Sequence, residues 1–262
     1  MFPIFEMAAI ADHTQGAFHY NVLNREATLA LQPGLGEAVV GAIYSPQDGQ
    51  VNPLYLLLAL QKASQLCGVD YQSSCRVDTI EALGHGFKAA GFVGKKILLC
   101  AGLDNQRLGK QLAMHLPVRP VKGQILITER TDLGMLNYAS PQLLQTAEGT
   151  IQVGGSSEHL GLDDRSSLDI MSSIAEEAVA VLPNLSNLKL VRSWGALRVM
   201  SPDGAPIYQQ SKQYKGAFGV CCHSGVTLAA AHAGPLSNWL LNSLNEDPLN
   251  LIEAMSNERF SI

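Results

Sequence analysis

The pattern of apolar and polar positions changes character twice along this chain. Over residues 23–31 the spacing is helical, with Asn24 as cap and Pro33 as stop. Residues 42–49 read as a short apolar piece running into a turn, where Pro46 and Gly49 set the backbone. The clearest helical signal follows. Asn52 can cap it, Pro53 suits its first position, and Gly68 closes it after Leu66 and Cys67. Leu54, Leu57, Leu58 and Ala63 share much of one face, and apolar residues nearly encircle the first half. That distribution predicts a helix buried within a layered α/β body.

Residues 69–77 and 86–93 predict the strands of a hairpin-like excursion. Lys96-Ile-Leu-Leu-Cys-Ala-Gly102 is a continuous apolar run ending in two small residues. It predicts a strand covered on both faces, as in a parallel sheet, and its Ala-Gly ending leaves room for a backbone or ligand. From Pro117 the pattern changes. Residues 123–128 and 149–154 predict an antiparallel sheet, and residues 167–182 a helix with Ile170, Ile174, Ala178 and Leu182 on one side, stopped by Pro183. Strands near 188–191 and 218–222 come next, then a helix from about Gly225 to about Leu244 that Gly234-Pro235 interrupts. The fold class is mixed α/β: a buried parallel sheet drawn from both ends of the chain, with an antiparallel insertion between.

Composition narrows the function. At 262 residues, 47% hydrophobic and 16% charged, the chain can form one large domain or two modest ones. The net charge of −5, with Lys95-Lys96 as the densest basic patch, argues against a nucleic-acid partner. Five cysteines without C-x-x-C spacing fit buried thiols in a reducing compartment. The first basic residue is Arg25, so the N-terminal stretch lacks the positive region of a signal peptide, and no run reaches the roughly 18 apolar residues of a membrane span. A cytoplasmic protein is the expectation.

Three segments can carry chemistry. Arg198 sits beside Trp194 in an apolar stretch, suited to a carboxylate and equally to a structural ion pair. His223-Ser-Gly-Val-Thr227 lies at a strand-to-helix transition, where free N–H groups can bind a phosphate or the carbonyl edge of a heterocycle; ordinary capping by Ser224 or Thr227 is the plainer alternative. Cys221-Cys222-His223 makes a poor metal chelate and reads as thiols at a strand end. A hydrolase built on it finds no G-x-S-x-G elbow. Gly34-Leu-Gly36 lacks the third glycine of a dinucleotide fingerprint, and there is no Walker A sequence.

In order and spacing, six motifs resemble the D-amino-acid-oxidase-type FAD-dependent oxidoreductases. They are Gly41 to Pro53; Ile97-Leu-Leu-Cys-Ala-Gly102; Leu116-Pro-Val-Arg-Pro-Val-Lys-Gly-Gln124; Gln145 to Gly155; Trp194 to Pro206; and Cys222-His-Ser-Gly-Val-Thr-Leu-Ala229. Within that superfamily the pattern is most similar to the group of the opine oxidase flavoprotein subunits, the hydrogen cyanide synthase flavoprotein subunit and D-hydroxyproline dehydrogenase. The resemblance implies a partial Rossmann-like FAD-binding domain over 48–110 and 190–262, an antiparallel substrate domain over 111–189, and an N-terminal segment, 1–47, associated with the latter. It implies FAD as cofactor, with Val77 by the adenosine part, Ala101 and Gly102 bordering the cofactor, and Ser224, Gly225, Val226 and Thr227 facing the pyrimidine end of the isoalloxazine. Arg198 matches the position that holds the substrate carboxylate, with His223 on the substrate side. The implied reaction is oxidation of the C–N bond of an amino acid or related amine by hydride transfer to flavin, followed by hydrolysis of the imine. Other subunits of a heteromeric dehydrogenase are implied partners. Family members begin with a strand, a G-x-G-x-x-G loop and a helix, and Met1 falls inside that pattern. The competing expectation is therefore a truncated, non-catalytic remnant or subunit that cannot hold FAD by itself.

Overall fold

The computed structural model describes residues 18–242 and 251–260. In chain order its first elements are β1 (Asn21–Asn24), α1 (Arg25–Leu31), β2 (Gly41–Tyr44), α2 (Pro53–Leu66), β3 (Ile80–Leu83), β4 (Gly86–Ala89), β5 (Phe92–Gly94) and β6 (Ile97–Leu99). Then come α3 (Asn105–Gln111), β7 (Arg119–Arg130), β8 (Leu143–Gln145), β9 (Thr150–Gly154), α4 (Leu168–Val181), β10 (Leu190–Met200), β11 (Ile207–Gln210) and β12 (Ala217–Cys221). A helical tail follows: one turn at Ala229–Ala231, a π-helical turn at His232–Leu236, and Ser237–Asn242. The chain divides into two compact units, one of Met1–Leu56, Gly123–Ser157 and Asp164–Ala196, the other of Leu57–Lys122, Glu158–Asp163 and Leu197–Ile262.

In the first unit β1 and β2 pair antiparallel around α1, whose cap is the expected one: the Asn24 Oδ1 accepts from the Ala27 N–H at 2.9 Å. A four-stranded sheet of order β10-β7-β9-β8 contributes the other layer, with β9 antiparallel to both β7 and β8; the start of β7, up to Lys122, and the end of β10, from Leu197, belong to the second unit. Leu126, Leu143, Ile151 and Val153 pack with Ile174, Ala178 and Leu182, the i, i+4, i+8 stripe read from sequence. Each such large side chain contributes about 1.5–3 kcal/mol by leaving water.

The second unit holds a three-stranded sheet, β11-β12-β6, in which β6 runs parallel to β12 and β11 antiparallel to it. A separate meander, β3-β4-β5, lies in the same unit. Ile80, Phe87, Leu99, Leu108, Leu112, Leu116, Ile207 and Ala217 form its core. Leu116 fills the space left by two missing side chains: a Cβ on Gly109 or Gly219 would stand 2.9 or 2.7 Å from its Cδ1. Lys122, 2% exposed, pairs with Glu158 at 3.2 Å, and their backbones exchange two hydrogen bonds of 2.9 Å.

Several expectations need correction. Residues 69–77 form no strand; the polar run from Asp70 to Arg76 offers no face to bury, and extended pairing begins only at Ile80. β7 and β10 are longer than the segments read from sequence, and β11 was missed because Ile207-Tyr-Gln-Gln210 shows no clear alternation. The helix at 53–66 forms where expected, with Asn52 Oδ1 accepting from Leu54 N–H at 3.0 Å and Gly68 at φ +86°. No residue of it is buried, since no described layer covers it. β6 is an edge strand with Leu99 buried and Leu98 42% exposed, so one face is covered and not two. The last helix starts at Ala229: residues 225–228 form turns in which Leu228 N–H reaches the Ser224 carbonyl and Ala229 N–H the Val226 carbonyl. The Gly234-Pro235 interruption is present as the π-helical turn, whereas Leu244 lies outside the described residues.

Candidate functional site

β6 and β12 are adjacent parallel strands, and two of the singled-out segments leave from their carboxyl ends. Register pairs Gly219 with Leu99 and stops there. Beyond it β6 runs into Ala101-Gly102 and β12 into Cys222 to Thr227. In open α/β sheets ligands bind in the crevice outside such strand ends. Gly102 has φ +61°, a left-handed conformation that favours glycine, and a Cβ there would stand 3.4 Å from Val199 Cγ2 of β10. Arg198, the next residue back on β10, is half-buried, and along a strand its side chain takes the face opposite to Val199.

The turn at 224–228 is exposed over most of its length. Among the described residues no acceptor meets the N–H groups of Gly225, Val226 or Thr227, and a Cβ on Gly225 would meet nothing within 4 Å. His223 Nδ1 and Ser224 Oγ lie 3.0 Å apart. Neither Ser224 nor Thr227 caps the Ala229–Ala231 turn, so the plain capping alternative does not hold. Behind the turn, Tyr208 is fully buried on β11, and its hydroxyl lies 3.1 Å from His232 Nε2 with the rings edge to face. Burial holds the His232 pKa down, and burial followed by the neighbouring Cys222 pushes that of Tyr208 up. Burial also raises the Cys221 thiol to about 11. A neutral buried thiol is no nucleophile at neutral pH. All five cysteines are free, and among the described residues no group of three His, Cys, Asp or Glu can hold a metal ion.

Val77 is half-buried against the second unit's core. Its carbonyl accepts from Arg107 Nη2 at 3.3 Å, while Arg107 Nη1 and Gln111 Nε2 reach the Asp78 carbonyl at 2.7 and 3.0 Å. These α3 side chains, together with Asn105 at its start, are the residues that sequence reasoning missed. Asn105 is fully buried, accepts from Ala101 N–H at 2.8 Å, and donates to the Val220 carbonyl at 2.7 Å. The singled-out residues therefore fall in one unit, with Ala101, Gly102 and Ser224 to Thr227 on neighbouring strand ends and Val77 tied to α3. No helix among the described residues is long and apolar enough to cross a membrane.

Residues 4–239 match the family model described as FAD dependent oxidoreductase, DAO. The chain is 42% identical over 254 residues to an opine oxidase subunit of Rhizobium meliloti, a match covering 95% of this chain and 68% of that protein. Hydrogen cyanide synthase subunit HcnC of Pseudomonas protegens is 30% identical over 234 residues, covering 84% of this chain and 55% of the relative. Among solved structures, glycine oxidase from Geobacillus kaustophilus superposes with a TM-score of 0.82 at 22% identity, covering 95% of this chain and 71% of the other. L-proline dehydrogenase from P. horikoshii does so at 0.85 and 17%, covering 99% and 75%. The structural likenesses speak to the fold.

Proposed function

Because the chain belongs to the DAO family of FAD-dependent oxidoreductases, we propose that it oxidises the carbon–nitrogen bond of an amino acid or related amine. The single observation that carries this reading is the turn at 224–228. Three consecutive N–H donors that meet no acceptor among the described residues, on an open turn at a parallel strand's carboxyl end, suit the electron-rich pyrimidine edge of an isoalloxazine. The donor set thus fits FAD.

The second unit would hold the cofactor. Ser224, Gly225, Val226 and Thr227 face the isoalloxazine, Ala101 and Gly102 border it, and the backbone at Val77 meets the adenosine part. The sheet of the first unit corresponds to the substrate domain. When bound, FAD supplies the acceptor for the hydride that leaves the carbon beside the substrate nitrogen. Arg198 pairs with the substrate carboxylate through its planar fork and so fixes where that carbon lies. His223, exposed and adjoining Ser224, stands on the substrate side. With the nitrogen's proton also lost, the product is an imine, which water hydrolyses. A cytoplasmic setting suits the free thiols, and the subunit designations of two relatives support work within a heteromeric dehydrogenase.

The test is to purify the chain, titrate it with FAD by fluorescence, and add amino acids and N-alkylated amino acids without oxygen. At least one amine is expected to bleach the bound flavin. Flavin that dithionite bleaches but no amine does would overturn the reaction class. A second reading rests on a specific observation: among the described residues α2 leaves Leu57 64% and Leu58 61% exposed, and β6 has an open edge. In that reading the chain is a subunit that holds FAD only when a further strand–loop–helix segment covers these surfaces. Its mark is FAD binding that is absent from the isolated chain and appears on adding a separate polypeptide carrying that segment.

A further inference from the structure

We propose that Asn105 is a positioning residue for the flavin site, a side-chain wedge that sets the two cofactor-facing turns at the point where β6 and β12 part. The inference rests on the flavin reading of those turns. Main-chain pairing between the strands ends at Gly219 and Leu99. One step further on, the Asn105 carboxamide takes the place of the ladder: its oxygen accepts from the Ala101 N–H at 2.8 Å and its nitrogen donates to the Val220 carbonyl at 2.7 Å. The same nitrogen lies 3.2 Å from the Cys221 sulfur.

The choice of residue follows from this geometry. The side chain is 0% exposed, and a polar group in such a place needs its partners. A primary amide offers an acceptor and a donor on one small, rigid, planar group at any pH. A carboxylate can serve Ala101 but not the Val220 carbonyl, and Leu matches the shape while serving neither. Glutamine adds a methylene for which a close-packed interior has no room. The separation held by this wedge is what lets Gly102 turn away on one side and Cys222 lead into the open turn on the other. α3 is then more than packing: Asn105 sets the strand ends, while Arg107 and Gln111 hold the carbonyls of Val77 and Asp78. One short helix thereby ties together all three stretches assigned to FAD.

The experiment compares Asn105→Leu, Asn105→Asp and the core control Leu108→Ala with the unaltered chain. Hydrogen–deuterium exchange is read without FAD, and FAD affinity by fluorescence titration. In Asn105→Leu, peptides covering 100–104 and 219–228 are expected to exchange faster, with FAD binding weakened by about tenfold or more. Leu108→Ala is expected to lower melting temperature without that local signature. The Asn105→Asp variant regains a donor on protonation, so its FAD affinity, taken relative to that of the unaltered chain at each pH, is expected to rise as pH falls. Unchanged exchange in both turns, or a Leu variant that binds FAD as tightly as the unaltered chain, overturns the assignment. An unaltered chain that takes up no FAD counts against the flavin reading instead, and the exchange data still decide whether Asn105 sets the turns. If the Leu variant does not fold, the pH dependence of Asn105→Asp decides alone.

Discussion

A guanidinium between Leu197 and Val199 on a half-buried stretch of strand is an uncommon placement, and it makes Arg198 the residue whose replacement says most about substrate. If it pairs with a carboxylate by its fork, Arg198→Lys keeps the charge and loses the second bond. KM for an amino acid is then expected to rise roughly tenfold to a hundredfold, with FAD affinity unchanged. Steady-state kinetics beside a flavin titration checks both, and an unchanged KM removes Arg198 from substrate binding. Asp203 offers a test of a different kind. Arg259 meets it through two bonds, Nε to Oδ2 at 2.7 Å and Nη2 to Oδ1 at 3.1 Å, and this pairing holds the carboxyl at about 2. A carboxyl lowered in the folded state favours folding above its unfolded value near 3.8 and loses that contribution as pH falls towards 2. Melting temperatures of the unaltered chain and Asp203→Asn should therefore differ at pH 7 and converge as pH falls from about 4 towards 2. The partial exposure of the pair keeps the difference small. Arg198 could be picked out from sequence because its neighbours are apolar. Asn105 could not, since its partners at Val220 and Cys221 lie far along the chain and polar residues around it look like an ordinary helix start.

Two helices of equal length show what periodicity can and cannot say. α2 and α4 each have 14 residues, and their ends were legible, those of α2 from Asn52, Pro53 and Gly68 and that of α4 from Pro183. Capping is local chemistry, so it survives the absence of any tertiary information. Burial is not local. α4 sets Ile174 and Ala178 against the sheet of its unit, whereas the richer apolar surface of α2 stays open. Ile174→Ala should cost about 2–4 kcal/mol, and Leu57→Glu or Leu58→Glu less than about 0.5 kcal/mol, by urea unfolding. A large loss from either Leu substitution would mean that α2 is covered in the protein as it exists in solution. β6 teaches the same lesson: its apolar run marked a strand and a parallel partner, but the number of covered faces depends on what lies outside the run.

For the whole molecule, a cofactor that binds only the folded second unit should stabilise it. FAD at about 100 times its dissociation constant is expected to add about 2.7 kcal/mol, read as a rise in melting temperature. No rise at saturating FAD would count against the proposed cofactor site in the isolated chain. The mixed fold class and the inserted antiparallel sheet were legible because strand periodicity and turn residues are written locally. The pairing of β6 with β12 carries a further consequence, one for synthesis. Ile97 pairs with Ala217, 120 residues later. At about 5–20 residues per second, a ribosome needs on the order of ten seconds to supply the partner strand. During that interval the first strand of this sheet waits with both edges unpaired, while the intervening hairpins of the first unit can already form. Slow, non-local closure of this kind invites misassembly. Growth temperature and chaperone supply should accordingly govern the yield of soluble protein, and the nascent chain cannot assemble the proposed cofactor cradle until the last quarter has emerged.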